Sequence, residues 1–346
     1  MHEAERKRAA ALEAAGGRAL VVESAANVRW LLCGRGAPVD VCSTDYTVVL
    51  RGDDAFVLFM DIERSRVEAE ERLEDLGYEL CPFPWHEGKA ATVARLVEAA
   101  GPLADEAVLD PHRRCLGAEE LERYRTAGAA AAEAMTQATG SLRPHQTEDD
   151  VAGALAAQCR ARGLVPRVVL VAGESRQPLH RHPLPTRSPL GRHALLAVTA
   201  EREGLFVSMT RLVSFGPPPA RLAELTEACA EVDAAVLAAS RPGVSLAELL
   251  RVLARAYEDR GFPDEWRKHH QGGLTGYKGR EVFATPGEET RLPPTCAVAW
   301  NPSIAGGAKS EDTALVSADG IEVVTETPGL PTIEVGDLRR PAIVEL

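Results

Sequence analysis

Short runs of Val and Leu alternate with charged, helix-spaced stretches along the first third of the chain. Residues 18–22 and 46–50 read as strands. Arg51-Gly52-Asp53-Asp54 is a turn signal, and residues 55–60 read as the strand on its far side. Residues 62–76 carry charge at helical spacing, and residues 90–100 form a second helical stretch. Together these pieces predict one small α/β domain.

A boundary follows near Asp110-Pro111-His112, which divides the chain into residues 1–113 and 114–346. Beyond it, residues 118–139 are rich in Ala and Glu and read as a long helix. Residues 147–162 read as another, with Thr147-Glu148-Asp149-Asp150 as its N-terminal cap. Strands are expected over 166–171, 194–198 and 205–215. Two further helices, 219–239 and 245–260, open on Pro and Ser start signals. From 295 to 346 the chain is strand-like, with Gly and Pro turns. Strands interleaved with paired helices predict an α+β fold for this second domain.

Composition changes this picture little but narrows function. The chain has 346 residues, more than one core usually supports, and 45% of them are hydrophobic. A net charge of -12 argues against nucleic acid, whose phosphates need clustered Lys and Arg. It leaves room for an anionic small substrate, because one buried Arg can hold a carboxylate. The seven cysteines are scattered and never spaced as CxxC, which points to a reducing cytoplasm rather than a disulfide framework. The charged N-terminus has no apolar core of the signal-peptide kind, and no apolar run is long enough to span a bilayer.

Candidate chemistry gathers around histidine. Five of the nine fall in two short segments: His180, His182 and His193, then His269 and His270. The second segment runs through Gly272 and Gly273 into Gly276-Tyr277-Lys278-Gly279-Arg280-Glu281. So much glycine makes a poor helix and suits a loop or strand where backbone approaches a ligand. A plain surface turn is the competing reading. If the segment is a strand, His269 and His270 point to opposite faces and at most one enters a site.

Several of these segments together resemble the pita-bread family of creatinase, aminopeptidase P, prolidase and methionine aminopeptidase. His182-Pro183-Leu184-Pro185-Thr186 leads to Gly191 and the strand at 194–198. Gly204 precedes Ser208-Met209-Thr210-Arg211, where the family carries Asp-x-Thr-Arg. Gly272 to Gly276 precedes Arg280-Glu281, where peptidases carry His-Glu. Asn301-Pro302-Ser303 and Glu311-Asp312-Thr313 match the family's Glu-Pro-Gly and Glu-Asp-Thr. The match covers about the last two thirds of the chain. It implies two domains: a small creatinase-type N-terminal α/β domain over 1–113 and a pita-bread domain over 114–346.

In that family a dinuclear metal site uses two Asp, one His and two Glu, donors suited to two divalent ions that bridge a water. The corresponding positions here are Ala197, Ser208, Gly273, Asn301 and Glu311. Only Glu311 is a strong ligand, so no catalytic metal and no other cofactor is expected. The creatinase branch works without metal. Tyr277-Lys278-Gly279-Arg280-Glu281 resembles its Tyr-x-Gly-Arg-Glu. That resemblance implies His182 as general acid and base, His269 as a second substrate-side histidine, and Arg280 as the anchor of a carboxylate. Ser208, Asn301, Glu311 and Tyr277 would shape the pocket. His180 is a further candidate, with a solvent-facing role the favoured reading. Ser208 and Asn301 replace the two glutamates of creatinase's guanidinium pocket, so creatine is not the expected substrate. The N-domain Arg of that branch is not evident in Cys42-Ser43-Thr44-Asp45-Tyr46.

The resulting expectation is a metal-independent hydrolase that cleaves a C–N bond in a small amino-acid-like or peptide-like carboxylate. The resemblance implies a homodimer, with neither nucleic acid nor membrane as partner. Two alternatives stand beside it. One is an Xaa-Pro aminopeptidase or dipeptidase using metal; the other is a non-catalytic pita-bread module that binds a peptide or a protein.

Overall fold

A computed structural model describes residues 2–40, 45–98 and 100–346. Cys42, Ser43 and Thr44, from the segment compared with the creatinase N-domain, lie outside the described residues. The chain divides into two compact units, Met1–Cys115 and Leu116–Leu346.

The first unit begins with α1 (Glu3–Ala14), β1 (Leu20–Val22) and α2 (Ala25–Leu31). The antiparallel pair β2 (Thr47–Arg51) and β3 (Asp54–Met60) turns at the predicted Gly52, which sits at φ 56°. Strand β4 (Glu79–Phe83) joins β3 in parallel, giving a four-stranded sheet in sequence order. Phe56, Leu58 and Val49 pack there with Leu96 of α4 (Ala90–Val97). The helix expected over 62–76 is not continuous. Only α3 (Arg64–Arg66) is α-helical, followed by a π turn over Val67–Glu71 and a 3-10 turn over Leu73–Leu76. The break follows Glu71, whose carboxylate accepts the backbone N–H of Gly36 at 2.6 Å and of Ala37 at 3.1 Å. Arg72 then adopts a left-handed φ of 48°. These tertiary bonds override the local helical periodicity. The unit closes with α5 (Asp110–Arg114).

The second unit has the mixed α+β architecture of the pita-bread fold. Helix α6 (Ala118–Gly140) is followed by α7 (Glu148–Ala161), where Thr147 accepts the N–H of Asp150 as the predicted cap. Strands β5 (Val165–Gly173), β6 (His193–Arg202) and β7 (Leu205–Ser214) form an antiparallel sheet. Helices α8 (Ala220–Ala239) and α9 (Leu246–Asp259) follow, the latter capped by Ser245.

Next come β8 (Gly272–Thr275), β9 (Val282–Phe283), β10 (Cys296–Trp300), the small pair β11 (Ser303–Ile304) and β12 (Ala308–Lys309), and β13 (Asp312–Ser317). The tail adds β14 (Gly320–Val323), the pair β15 (Thr332–Val335) and β16 (Leu338–Pro341), and β17 (Val344–Glu345), which closes beside β7. The second large sheet runs in the order β14-β13-β10-β8-β9. Leu249, Leu253 and Tyr257 of α9 pack with Val236 of α8 and with Val298 and Trp300 of β10 in the main core.

Two bonds tie the sheets together where the site lies. Thr210 donates its N–H to the Glu311 carbonyl at 3.0 Å, and Ser208 donates its N–H to Thr313 Oγ1 at 2.7 Å. A buried ion-pair cluster stands behind this seam. Arg211 bonds Asp312 at 3.0 Å, and Arg340 reaches Asp233 at 2.7 Å and Asp312 at 2.8 Å.

Candidate active site

The pleat selects which side chains of the seam share a face. Ser208 and Thr210 are two apart on β7, so both project to one side. Glu311, just before β13, lies opposite them, and Thr210 Oγ1 donates to its Oε2 at 2.9 Å. A cavity of about 380 Å³ opens on this face. Val168, Leu170 and Ala197 of β5 and β6 form an apolar wall. Arg280, Asn301, Lys309 and Glu311 form a polar one, and His182, His270 and Phe283 complete the lining.

Glu311 is the centre of the polar wall. Its Oε1 meets Arg280 Nη2 at 3.0 Å, and its Oε2 lies 3.3 Å from Lys309 Nζ. All three side chains are under a tenth exposed. Burial alone would raise the Glu311 pKa, but Lys309, Arg280 and the Thr210 hydroxyl outweigh it and hold the carboxyl below its usual range. Arg280 also donates to the Gly279 carbonyl at 2.6 Å and to Ser208 Oγ at 3.4 Å, while its Nε is buried without a partner.

Histidines occupy the other side. His182 Nε2 and His269 Nε2 face each other at 2.8 Å. His270 stacks on His269 at 4.5 Å between ring centroids and meets Phe283 edge-on at 4.9 Å. The expectation that His269 and His270 face opposite ways is therefore corrected. Both lie ahead of β8 in irregular chain, where the two-residue alternation of a strand does not apply. Burial, followed by the nearby positive charge of Lys309, lowers the pKa of His182 and His269. Burial also lowers that of His270, to about 4, with Arg280 and His182 adding to the effect. His182 and His270 keep much of their surface in solvent, which weakens this effect, so His269, the most enclosed of the three, is the imidazole most firmly held neutral at neutral pH.

The structure gathers most of the sequence-predicted residues and leaves two apart. His182, His269, Arg280, Ser208, Asn301 and Glu311 meet in or directly behind the cavity. Tyr277 is buried elsewhere, with its hydroxyl donating to Glu120 Oε1 at 2.7 Å. His180 is exposed and lines a separate small pocket beside Gln177 and Ser303. Sequence reasoning missed Lys309 and Thr210. The signal for Lys309 was its place two residues before Glu311, which puts both on one side of an extended chain.

The five residues that the resemblance sets against the family's metal ligands do not fit a pair of divalent ions. Ala197 and Gly273 offer no donor, and Ser208 Oγ is shared with Thr199 at 2.9 Å and with Arg280. Both oxygens of Glu311 are taken by cations and Thr210. Backbone also closes the third of these positions, Gly273. A Cβ on Gly273, which sits at φ 148°, would stand 2.2 Å from the Val282 carbonyl oxygen. The grouping best able to ligate an ion is a different one, His182, His269 and His270, whose ligating nitrogens lie within 4.8 Å of one another. The positive charges of Lys309 and Arg280 near these rings oppose a cation there, and the Glu311 carboxylate favours one.

The sequence profile of metallopeptidase family M24 matches residues 122–318, more than half of the chain. The chain belongs to that family. A search of curated proteins returned no match. Among solved structures, dipeptidase PepE from Mycobacterium ulcerans superposes with a TM-score of 0.74 at 20% identity, covering 99% of this chain and 98% of that one. Prolidase from Pyrococcus furiosus gives 0.72 at 18% identity, with 90% and 97% covered. The N-terminal domain of FACT complex subunit SPT16 from Cicer arietinum gives 0.67 at 13%, with 94% of each chain covered. At these identities the likeness is one of fold. No helix among the described residues is long and apolar enough to cross a membrane.

Proposed function

We propose that the pocket hydrolyses a C–N bond in a small amino-acid-like or peptide-like carboxylate without a metal ion. The observation that carries this reading is the contact between His182 Nε2 and His269 Nε2 at 2.8 Å, at the edge of a pocket whose metal positions are unfit. Neutral imidazole can accept a proton at neutral pH. His182 would take one proton from water as its oxygen bonds to the scissile carbon. It would return that proton to the departing nitrogen as the C–N bond breaks. His269 would steady the ring, since two facing nitrogens at this separation share a single hydrogen. Arg280, held by Glu311 and Ser208, would present a fixed positive edge to the substrate.

The names of the similar structures, dipeptidase and prolidase, support a peptide-like substrate and are the best support for the metal-dependent Xaa-Pro alternative. The fit of the side chains weighs against that alternative. The third reading, a binding module, draws on the same fold occurring in a domain of a complex subunit. Family resemblance further implies a homodimer, and the cysteine pattern a cytoplasmic setting.

Hydrolysis of Xaa-Pro dipeptides and of N-acylated amino acids, assayed with chelator or with added Mn, tests all three. Turnover unaffected by chelator and lost in His182→Ala supports the proposal. Turnover only with Mn restores the metallopeptidase. No turnover of any substrate favours the binding module.

A further inference from the structure

We infer that the pocket selects a monoanionic carboxylate with an apolar body and an adjacent amide N–H, and that Lys309 receives the charge. This rests on the cavity proposed above as the active site; it names the ligand class and the residue that chooses it.

The first ground is charge. Lys309 and Arg280 bring two positive charges to the buried wall, and Glu311 brings one negative charge. The ion pairs behind the wall balance among themselves, Arg211 and Arg340 against Asp312 and Asp233, so they neutralise nothing in the pocket. One buried positive charge is left over, and a single anion would compensate it.

The second ground is the distribution of donors. Arg280 is fixed in place by bonds from its terminal nitrogens to Glu311, Ser208 and the Gly279 carbonyl. Among the described residues Lys309 pairs only with Glu311, and its ammonium carries three hydrogens. Lys309 therefore has donors to spare, and beside it Arg280 keeps a buried Nε–H without a partner.

A third observation points to the group beside the carboxylate. Asn301 lines the same cavity, is 2% exposed, and has a side-chain oxygen buried without a partner. An acceptor so placed calls for a ligand N–H. The remaining lining is apolar: Leu170 and Ala197 inside, with Val168 and Phe283 exposed by 44% and 45%. Exposed apolar groups around one cavity suit an aliphatic or aromatic body. An N-acylated apolar amino acid has all three features. A free dipeptide differs by an ammonium that Lys309 and Arg280 would repel.

Titration calorimetry on the full chain tests this with N-acetyl-L-phenylalanine, its carboxamide, N-acetylglycine and glycylphenylalanine. We expect the first to bind about tenfold or more tightly than each of the others. Lys309→Met, which keeps the aliphatic stem, should bring the acid down to the level of the carboxamide. Phe283→Ala, at an exposed position, should remove the preference for phenylalanine over glycine. Equal binding of acid and carboxamide, tighter binding of glycylphenylalanine, or an unchanged ratio in Lys309→Met overturns the inference. Hydrolysis is a separate readout: absent turnover with these ratios intact sinks the proposed chemistry and leaves the ligand class standing.

Discussion

Arg280 Nη2 and Glu311 Oε1 meet at 3.0 Å with both side chains under a tenth exposed. Lys309 completes the arrangement from the other carboxylate oxygen. Glu311 is thus the one anion holding two buried cations together.

That asymmetry predicts an order of stabilities. Glu311→Gln strands both cations and should cost about 3–5 kcal/mol, the usual penalty for breaking a buried pair. Arg280→Ala leaves Glu311 with Lys309 and should cost less. Lys309→Met leaves the Arg280–Glu311 pair intact and should cost least. Urea unfolding of the three variants checks the order. A Lys309→Met loss as large as that of Glu311→Gln would show that the three do not act as described.

A second pair ties the C-terminal strands to the seam. Arg340 is fully buried and bridges Asp233 of α8 to Asp312 at the start of β13. Arg340→Ala would leave Asp233 buried without its cation, although Asp312 keeps Arg211. Burial already raises the Asp233 pKa against the pull of Arg340, so in the variant this group should take up a proton. We expect a loss of about 3 kcal/mol in chemical denaturation. Arg339→Ala, removing an exposed pair next door, should change stability little.

The resemblance sets Gly273 against the family's metal-binding histidine. At φ 148°, with the Val282 carbonyl 2.2 Å from any Cβ, this backbone accepts no side chain without moving. Gly273→His should therefore destabilise the protein rather than restore metal binding. Thermal unfolding with and without Mn checks this. A rise in the midpoint on adding Mn to the variant would mean the ancestral site is still accessible.

Much of this was legible in the sequence. The capped helices α7 and α9 are local features: a Thr or Ser followed three residues later by an acidic partner. The order of the short motifs around His182, Arg280 and Glu311 carried the fold and most of the site. What escaped depends on distant contacts. Residues 62–76 look helical until Glu71 is claimed by the backbone of Gly36 and Ala37. Tyr277 looks like a pocket residue until α6 offers it Glu120. Lys309, two residues before Glu311, looks like one of a pair of solvated charges, because nothing local shows that β12 is buried.

The histidine cluster should make stability fall with acid. The folded pKa values of His182, His269 and His270 lie below the ordinary value near 6.5, the last at about 4. Below pH 6.5 the unfolded chain therefore binds protons that the folded pocket refuses. The stability these groups contribute is present above that pH and is lost as pH falls from 6.5 toward the folded values. A fully shifted histidine loses about 1.4 kcal/mol per pH unit in this window. His269, the most enclosed of the three, should come nearest that slope, while solvent contact reduces the share of His182 and His270. Denaturant unfolding at pH 7.5, 6.5 and 5.5 would show the loss, and His269→Asn should flatten it. If the variant falls as steeply as the parent, the acid sensitivity comes from elsewhere and His269 does not carry the lowered pKa that its surroundings impose.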